Sequence, residues 1–186
     1  MWPACADGDL ASGVSTESTE THARYLRYVL LGLGITDAGE VEAIARWRRG
    51  YNPPVGLWKR AYPGAMAALR RVKAAGLVVG VISNSNGSVR SILEATGLAP
   101  HLDFVIDSAV VGVEKPDPRI FRLALERAGV PAGAAVYVGD LYSIDVLGAR
   151  RAGLDAVLLD PRGHWGRRDC RLARGIEDAV SLCLGG

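Results

Sequence analysis

An α/β fold built around a parallel sheet is predicted for this chain by three observations. Short, unbroken apolar runs at residues 77–82, 104–106, 135–138 and 156–159 alternate with stretches of helical period. The runs are apolar on both faces, as strands covered by helices on both sides must be. Polar groups stand just past the run ends, at Ser83 and Asp140, on the rim where open parallel sheets bind ligands.

In chain order, residues 1–19 are rich in Gly, Ser, Thr and acid, show no period, and read as a loose arm. From Glu20 to about Leu33 the apolar positions Tyr25, Leu26, Tyr28, Val29, Leu30 and Leu33 follow helical spacing, and Gly34 ends the pattern. Asp37 caps a second helix through Val41, Ile44, Ala45 and Trp47 to about Arg49. Two helices without a strand between them read as an appended hairpin, residues 20–55, whose tyrosines and Trp47 are expected in its core. The main domain is residues 56–186.

Past the breaker Tyr51-Asn52-Pro53-Pro54, Pro63 is expected to start a helix through Met66, Leu69 and Val72 that Gly76 stops before the strand at 77–82. A helix follows from about Gly87 to Thr96, then the strand at 104–106. Pro118, after Asp117, opens a helix that Gly129 closes. The strand at 135–138 leads into a helix for which Ser143 is the expected N-cap, with Asp145 in the first turn and Gly153 at the end. The strand at 156–159 and a helix from about Ile176 to Leu184 finish the chain. The basic stretch 162–174 reads as a solvated face.

The 186 residues suffice for one domain with a single core and a small appendage. With 22 basic against 20 acidic residues, the net charge of +2 is too small to argue for nucleic-acid or membrane partners, and none is expected. Cys5, Cys170 and Cys183 show neither disulfide nor zinc spacing, which fits a reduced cytoplasmic setting. No apolar run approaches the ~20 residues of a membrane span, and the start has no signal-peptide pattern. No feature specifies an oligomeric state.

Three groups can carry chemistry. Asp140 at a strand end and Asp145 in the following turn offer oxygen ligands suited to a hard cation such as Mg²⁺; the plainer reading is a turn acid and a helix-start charge. Ser83-Asn84-Ser85-Asn86-Gly87 places a hydroxyl, amide side chains and free N–H groups at a helix start, either an anion site or an ordinary capped turn. Lys115, held extended by Pro116, can pair with a phosphate, or is one more surface lysine.

Taken together, these groups make the chain resemble the haloacid dehalogenase superfamily over residues 60–162. Ser83 matches its second motif, Lys115 in Glu-Lys-Pro-Asp-Pro-Arg-Ile-Phe its third, and Gly139-Asp140 with Asp145 its fourth. The resemblance implies a Rossmann-like sheet on which Ser83, Asn84 and Lys115 hold a phosphoryl group. Asp140 would bind Mg²⁺ with Asp145 in support, and residues 20–55 would be part of a helical cap. It further implies a Mg²⁺-dependent phosphatase acting on a small phosphorylated metabolite through an aspartyl-phosphate.

The superfamily's first motif, an apolar strand ending in Asp-x-Asp, has no good copy here. Asp7-Gly8-Asp9 has the spacing, but the run before it is short and Pro3 cannot donate to a central ladder. The expectation is therefore a truncated or degenerate copy beginning inside the cap, with no identifiable nucleophile and a sheet missing its central strand. The alternative is a catalytically silent module that keeps the phosphate and Mg²⁺ pockets. A metal-free dehalogenase fits the acidic pair less well. Another nucleotide-binding fold is disfavoured by the lack of Gly-x-Gly-x-x-Gly or Gly-x-x-x-x-Gly-Lys.

Overall fold

The computed structural model describes residue 15 and residues 18–185. Asp7 and the rest of the expected arm up to Val14 lie outside them. The chain begins with helices α1 (Thr19–Gly32), α2 (Ala38–Tyr51) and α3 (Ala65–Ala74). Strand β1 (Gly80–Ser83), α4 (Val89–Ala95), β2 (Phe104–Asp107), the single turn α5 (Ser108–Val111) and α6 (Pro118–Ala128) follow. Strand β3 (Val136–Gly139) runs into a π-helical turn (Tyr142–Val146) and α7 (Leu147–Arg151), and β4 (Asp155–Leu159), β5 (Arg171–Ala173) and α8 (Ile176–Leu184) complete the order.

All strand pairs are parallel, as the apolar runs require, but the sheet is in two pieces. One holds β1 and β2, the other β3, β4 and β5 in that order. Among the described residues the break falls between β1 and β3, which are linked by the Tyr137 hydroxyl donating to the Ile82 carbonyl. The run at 77–82 yields a strand only from Gly80, which pairs with Phe104 at the start of β2; Leu77 and Val78 precede that pairing and are exposed. The core lies behind the break, where Ile106 of β2, Ile120 and Phe121 of α6, Val146, Ala149 of α7 and Leu158 of β4 are buried together.

Four other expectations need correction. Arg171–Ala173, read as part of a solvated face, is a third strand of the larger sheet, with Ala173 fully buried. Three residues are too few for periodicity to reveal. Pro63 does not start a helix; α3 begins at Ala65 behind Gly64, whose φ of 82° no side chain adopts cheaply. Ser143 is not the N-cap: it lies inside the turn, which is π-helical and starts after Leu141. Finally, Tyr28 and Trp47 are exposed rather than in a core: Leu30 is the one buried apolar residue described in α1, and α2 has none. A two-helix hairpin has only its own narrow seam to bury. Asp37 does cap α2, accepting from the Glu40 N–H at 2.9 Å, and Gly129 closes α6 in the left-handed region, as expected.

Candidate active site

The expected residues meet at one end of the molecule, past the carboxyl ends of β1 and β3. Ser83 is the last residue of β1, and Asp140 follows the last residue of β3. Between them, Asn84 and Lys115 are locked together: the Lys115 N–H donates to Asn84 Oδ1 at 2.8 Å, and Asn84 Nδ2 donates to the Lys115 carbonyl at 2.9 Å. The amide side chain expected to face a phosphate thus fixes the lysine's backbone. The Lys115–Pro116 peptide is cis.

The Lys115 side chain runs inward. Its ammonium donates to Asp145 Oδ1 at 2.8 Å and to the Tyr137 hydroxyl at 3.0 Å, with the lysine side chain 12% and the aspartate side chain 2% exposed. Burial alone would pull the lysine's proton affinity down, but Asp145 and the Tyr137 oxygen outweigh it, so Lys115 stays charged well past neutrality. Tyr137 moves up as well, first through burial and then through Asp145, and remains a neutral phenol. Its hydroxyl lies 3.2 Å from Asp145 Oδ1 and 3.4 Å from the Ile82 carbonyl of β1.

Both oxygens of Asp145 are engaged. Oδ2 accepts from the N–H groups of Asp140 at 3.1 Å and Leu141 at 2.9 Å, which fastens the loop after β3 to the lysine. Such an approach needs Gly139, since a Cβ there would come within 2.4 Å of the Asp145 carboxyl carbon. The π-helical turn brings Asp145 back under its own strand.

Asp140 differs. It is exposed overall, and its carboxylate makes no ion pair among the described residues. Protein atoms crowd the carboxyl group and Asp145 repels its charge, and together these raise its pKa above the ordinary aspartate value. A carboxylate so placed is relieved by a cation. Mg²⁺ commonly takes one or two carboxylates and completes its shell with water and substrate oxygens, so Asp140 fits as a direct ligand and Asp145 only as its support. Among the described residues no three acidic, His or Cys side chains cluster as a ready-made metal cage.

The turn after β1 is organised by a residue that the sequence reading passed over. Asp107, at the end of β2, accepts from the N–H groups of Gly87 at 3.1 Å and Val89 at 3.3 Å and from the Ser85 hydroxyl at 2.9 Å. The N–H groups expected to meet an external anion meet this internal one. The signal was present, since Asp107 follows an apolar run just as Asp140 does. Tyr137 and Trp165, whose indole N–H donates to the Asp140 carbonyl at 2.9 Å, carried no signal of their own.

Comparison with known proteins bears on what this arrangement is. The haloacid dehalogenase-like hydrolase profile matches residues 18–153. The chain belongs to that family. It is 39% identical over 127 residues to haloacid dehalogenase-like hydrolase domain-containing protein 3 of Bos taurus, covering 68% of this chain and 50% of that protein. Against a phosphoserine phosphatase of Thermus thermophilus it is 42% identical over 120 residues, 64% of this chain and 45% of the other. It thus spans about half the length of these curated relatives, or less. The crystal structure of a HAD phosphatase from Thermococcus onnurineus superposes with a TM-score of 0.65 at 25% identity, covering 88% of each chain. The family's α/β fold is therefore this chain's fold. No helix among the described residues is long and apolar enough to cross a membrane.

Proposed function

We propose that Ser83, Lys115, Asp145 and Asp140 form the phosphoryl- and cation-binding half of a Mg²⁺-dependent phosphohydrolase site for a small phosphorylated metabolite. The observation that carries this reading is the buried Lys115–Asp145 pair, whose lysine backbone is bonded to Asn84 just past the end of β1. A buried ammonium kept charged by one carboxylate is a fixed positive group, ready for the charge that builds on a phosphoryl oxygen in the transition state. Asn84 sets the backbone from which it projects, and Ser83, whose hydroxyl donates at 3.3 Å to the Asn84 carbonyl and could turn to a phosphoryl oxygen, ends the neighbouring strand. Bound at Asp140, Mg²⁺ would supply further charge neutralisation and hold a phosphoryl oxygen. Phosphatase-named relatives support the reaction class, and free Cys170 and Cys183 suit a reducing, cytoplasmic setting.

The attacking aspartate of an aspartyl-phosphate route must come from outside residues 15–185, which contain no Asp-x-Asp. The second reading is a silent module that binds phosphate and Mg²⁺ without turnover. A thermal-shift titration with inorganic phosphate tests the shared part. Phosphate should stabilise the chain only when Mg²⁺ is present, and Asp140→Asn should abolish the effect. Stabilisation that ignores both the metal and Asp140 would overturn the assignment. Hydrolysis of p-nitrophenyl phosphate by the full chain then separates enzyme from silent module.

A further inference from the structure

Asp140, proposed above as the cation ligand, has both of its main-chain groups engaged. Its N–H donates to Asp145 Oδ2 at 3.1 Å, which ties it to the buried lysine pair. Its carbonyl accepts from the Trp165 indole N–H at 2.9 Å. That second bond comes from 25 residues further along the chain, out of the loop between β4 and β5. An indole can only donate, so it takes the carbonyl and leaves the Asp140 carboxylate oxygens to other partners.

The loop that carries Trp165 is itself fixed. Asp160, which follows the last residue of β4, is buried and accepts from the His164 N–H at 2.9 Å with one oxygen and from the Trp165 N–H at 3.0 Å with the other. Its own N–H donates to the Ala173 carbonyl of β5 at 2.8 Å. Trp165 therefore projects from a turn anchored in the larger sheet. A second tie joins this loop to the segment after β3: the Tyr142 hydroxyl donates to Asp169 Oδ1, and Arg150 Nη1 of α7 donates to Asp169 Oδ2 at 2.9 Å. The Arg168 guanidinium lies over both the Tyr142 ring, at 5.1 Å, and the Trp165 ring, at 5.5 Å. Residues 160–169 are thus packed on the turn that bears Asp140.

We propose that Trp165 is a positioning residue for Asp140: its indole N–H, held in place by Asp160, fixes the backbone from which the carboxylate reaches a divalent cation. This inference rests on the assignment of Asp140 as the cation ligand. With its N–H held by Asp145 and its carbonyl by Trp165, the Asp140 peptide is ordered before any cation arrives, and binding costs less conformational freedom. Groups that orient a metal ligand without touching the metal are typically worth about ten- to a hundredfold in affinity.

The test uses the full chain and Mn²⁺, an oxygen-seeking divalent ion whose free form is measured by electron paramagnetic resonance. Trp165 is changed in two ways: Trp165→Phe, and replacement of Trp165 by 3-benzothienylalanine, which keeps the double ring and loses only the N–H donor. Both changes should weaken Mn²⁺ binding by about ten- to a hundredfold. Both should also speed hydrogen exchange of the Asp140 and Leu141 amides, followed by NMR, by roughly two- to tenfold, with the amides of β4 unchanged. Unchanged affinity or unchanged exchange in the benzothienylalanine protein overturns the proposal, even if Trp165→Phe shows both effects, since lost packing would then be the cause. Asp140→Asn checks the assignment beneath it. Mn²⁺ binding as tight in that variant as in the unaltered chain, or none in either, sinks Asp140 as the ligand and the gain in affinity with it, while exchange at residues 140 and 141 still decides whether Trp165 holds them.

Discussion

At the scale of single residues, Lys115 and Asp145 dominate, because each is buried and each is the other's main compensation. Asp145→Asn leaves a buried ammonium without its counter-charge and is expected to cost about 3–5 kcal/mol in a urea melt. Asp140→Asn should act in the opposite direction. The folded state raises this carboxyl's pKa, so stability is greatest with the proton on and falls as pH rises through the folded value. At pH 7 without divalent cations, removing the charge should therefore stabilise the chain, by only about 0.5 kcal/mol given solvent screening. Mg²⁺ should close that gap. At the alkaline end, Lys115 and Tyr137 both hold their protons more firmly folded than unfolded. Stability should therefore decline from about pH 10 upward, and Tyr137→Phe should make the decline shallower.

At the scale of elements, the site depends on close approach. The strand β3 can carry Asp145 beneath itself only because residue 139 has no side chain, and Gly139→Ala would force the carboxyl away from Lys115. A loss of roughly 1–3 kcal/mol is expected in chemical denaturation, with weaker phosphate binding as the accompanying sign. Asn84→Ala would leave the Lys115 N–H and carbonyl without the two bonds they now make, at about 1–3 kcal/mol for each group that stays buried. Helix α6 supports both halves of the sheet through Phe121, which is fully buried. Phe121→Ala should cost about 3–5 kcal/mol, the upper range for a core truncation.

At the scale of the whole molecule, stability is uneven. Helices α1 and α2 bury little, with Tyr28, Leu33 and Trp47 exposed, while the packed layers of α6, α7 and β4 form the core. Local opening follows buried apolar contact, so limited proteolysis should cut within residues 20–62 before it cuts β4 or α6. First cuts in the core would show that the hairpin is better anchored than its burial suggests.

Much of the molecule was legible in the amino-acid string because short-range chemistry settles it. Asp37 caps whichever helix follows it, Asp117-Pro118 opens α6 and Gly129 closes it, and unbroken apolar runs flanked by helices require a parallel α/β sheet. The order of Ser83, Lys115 and Asp140 along the chain was sufficient to mark one rim and one family. Long-range packing decided the rest. Whether Asn84 faces a ligand or clamps a lysine, whether Asp145 binds a cation or an ammonium, and whether a strand is interior or edge depend on which distant group arrives beside it. No local pattern records that, since a carboxylate or an apolar run looks the same with its partner or without it.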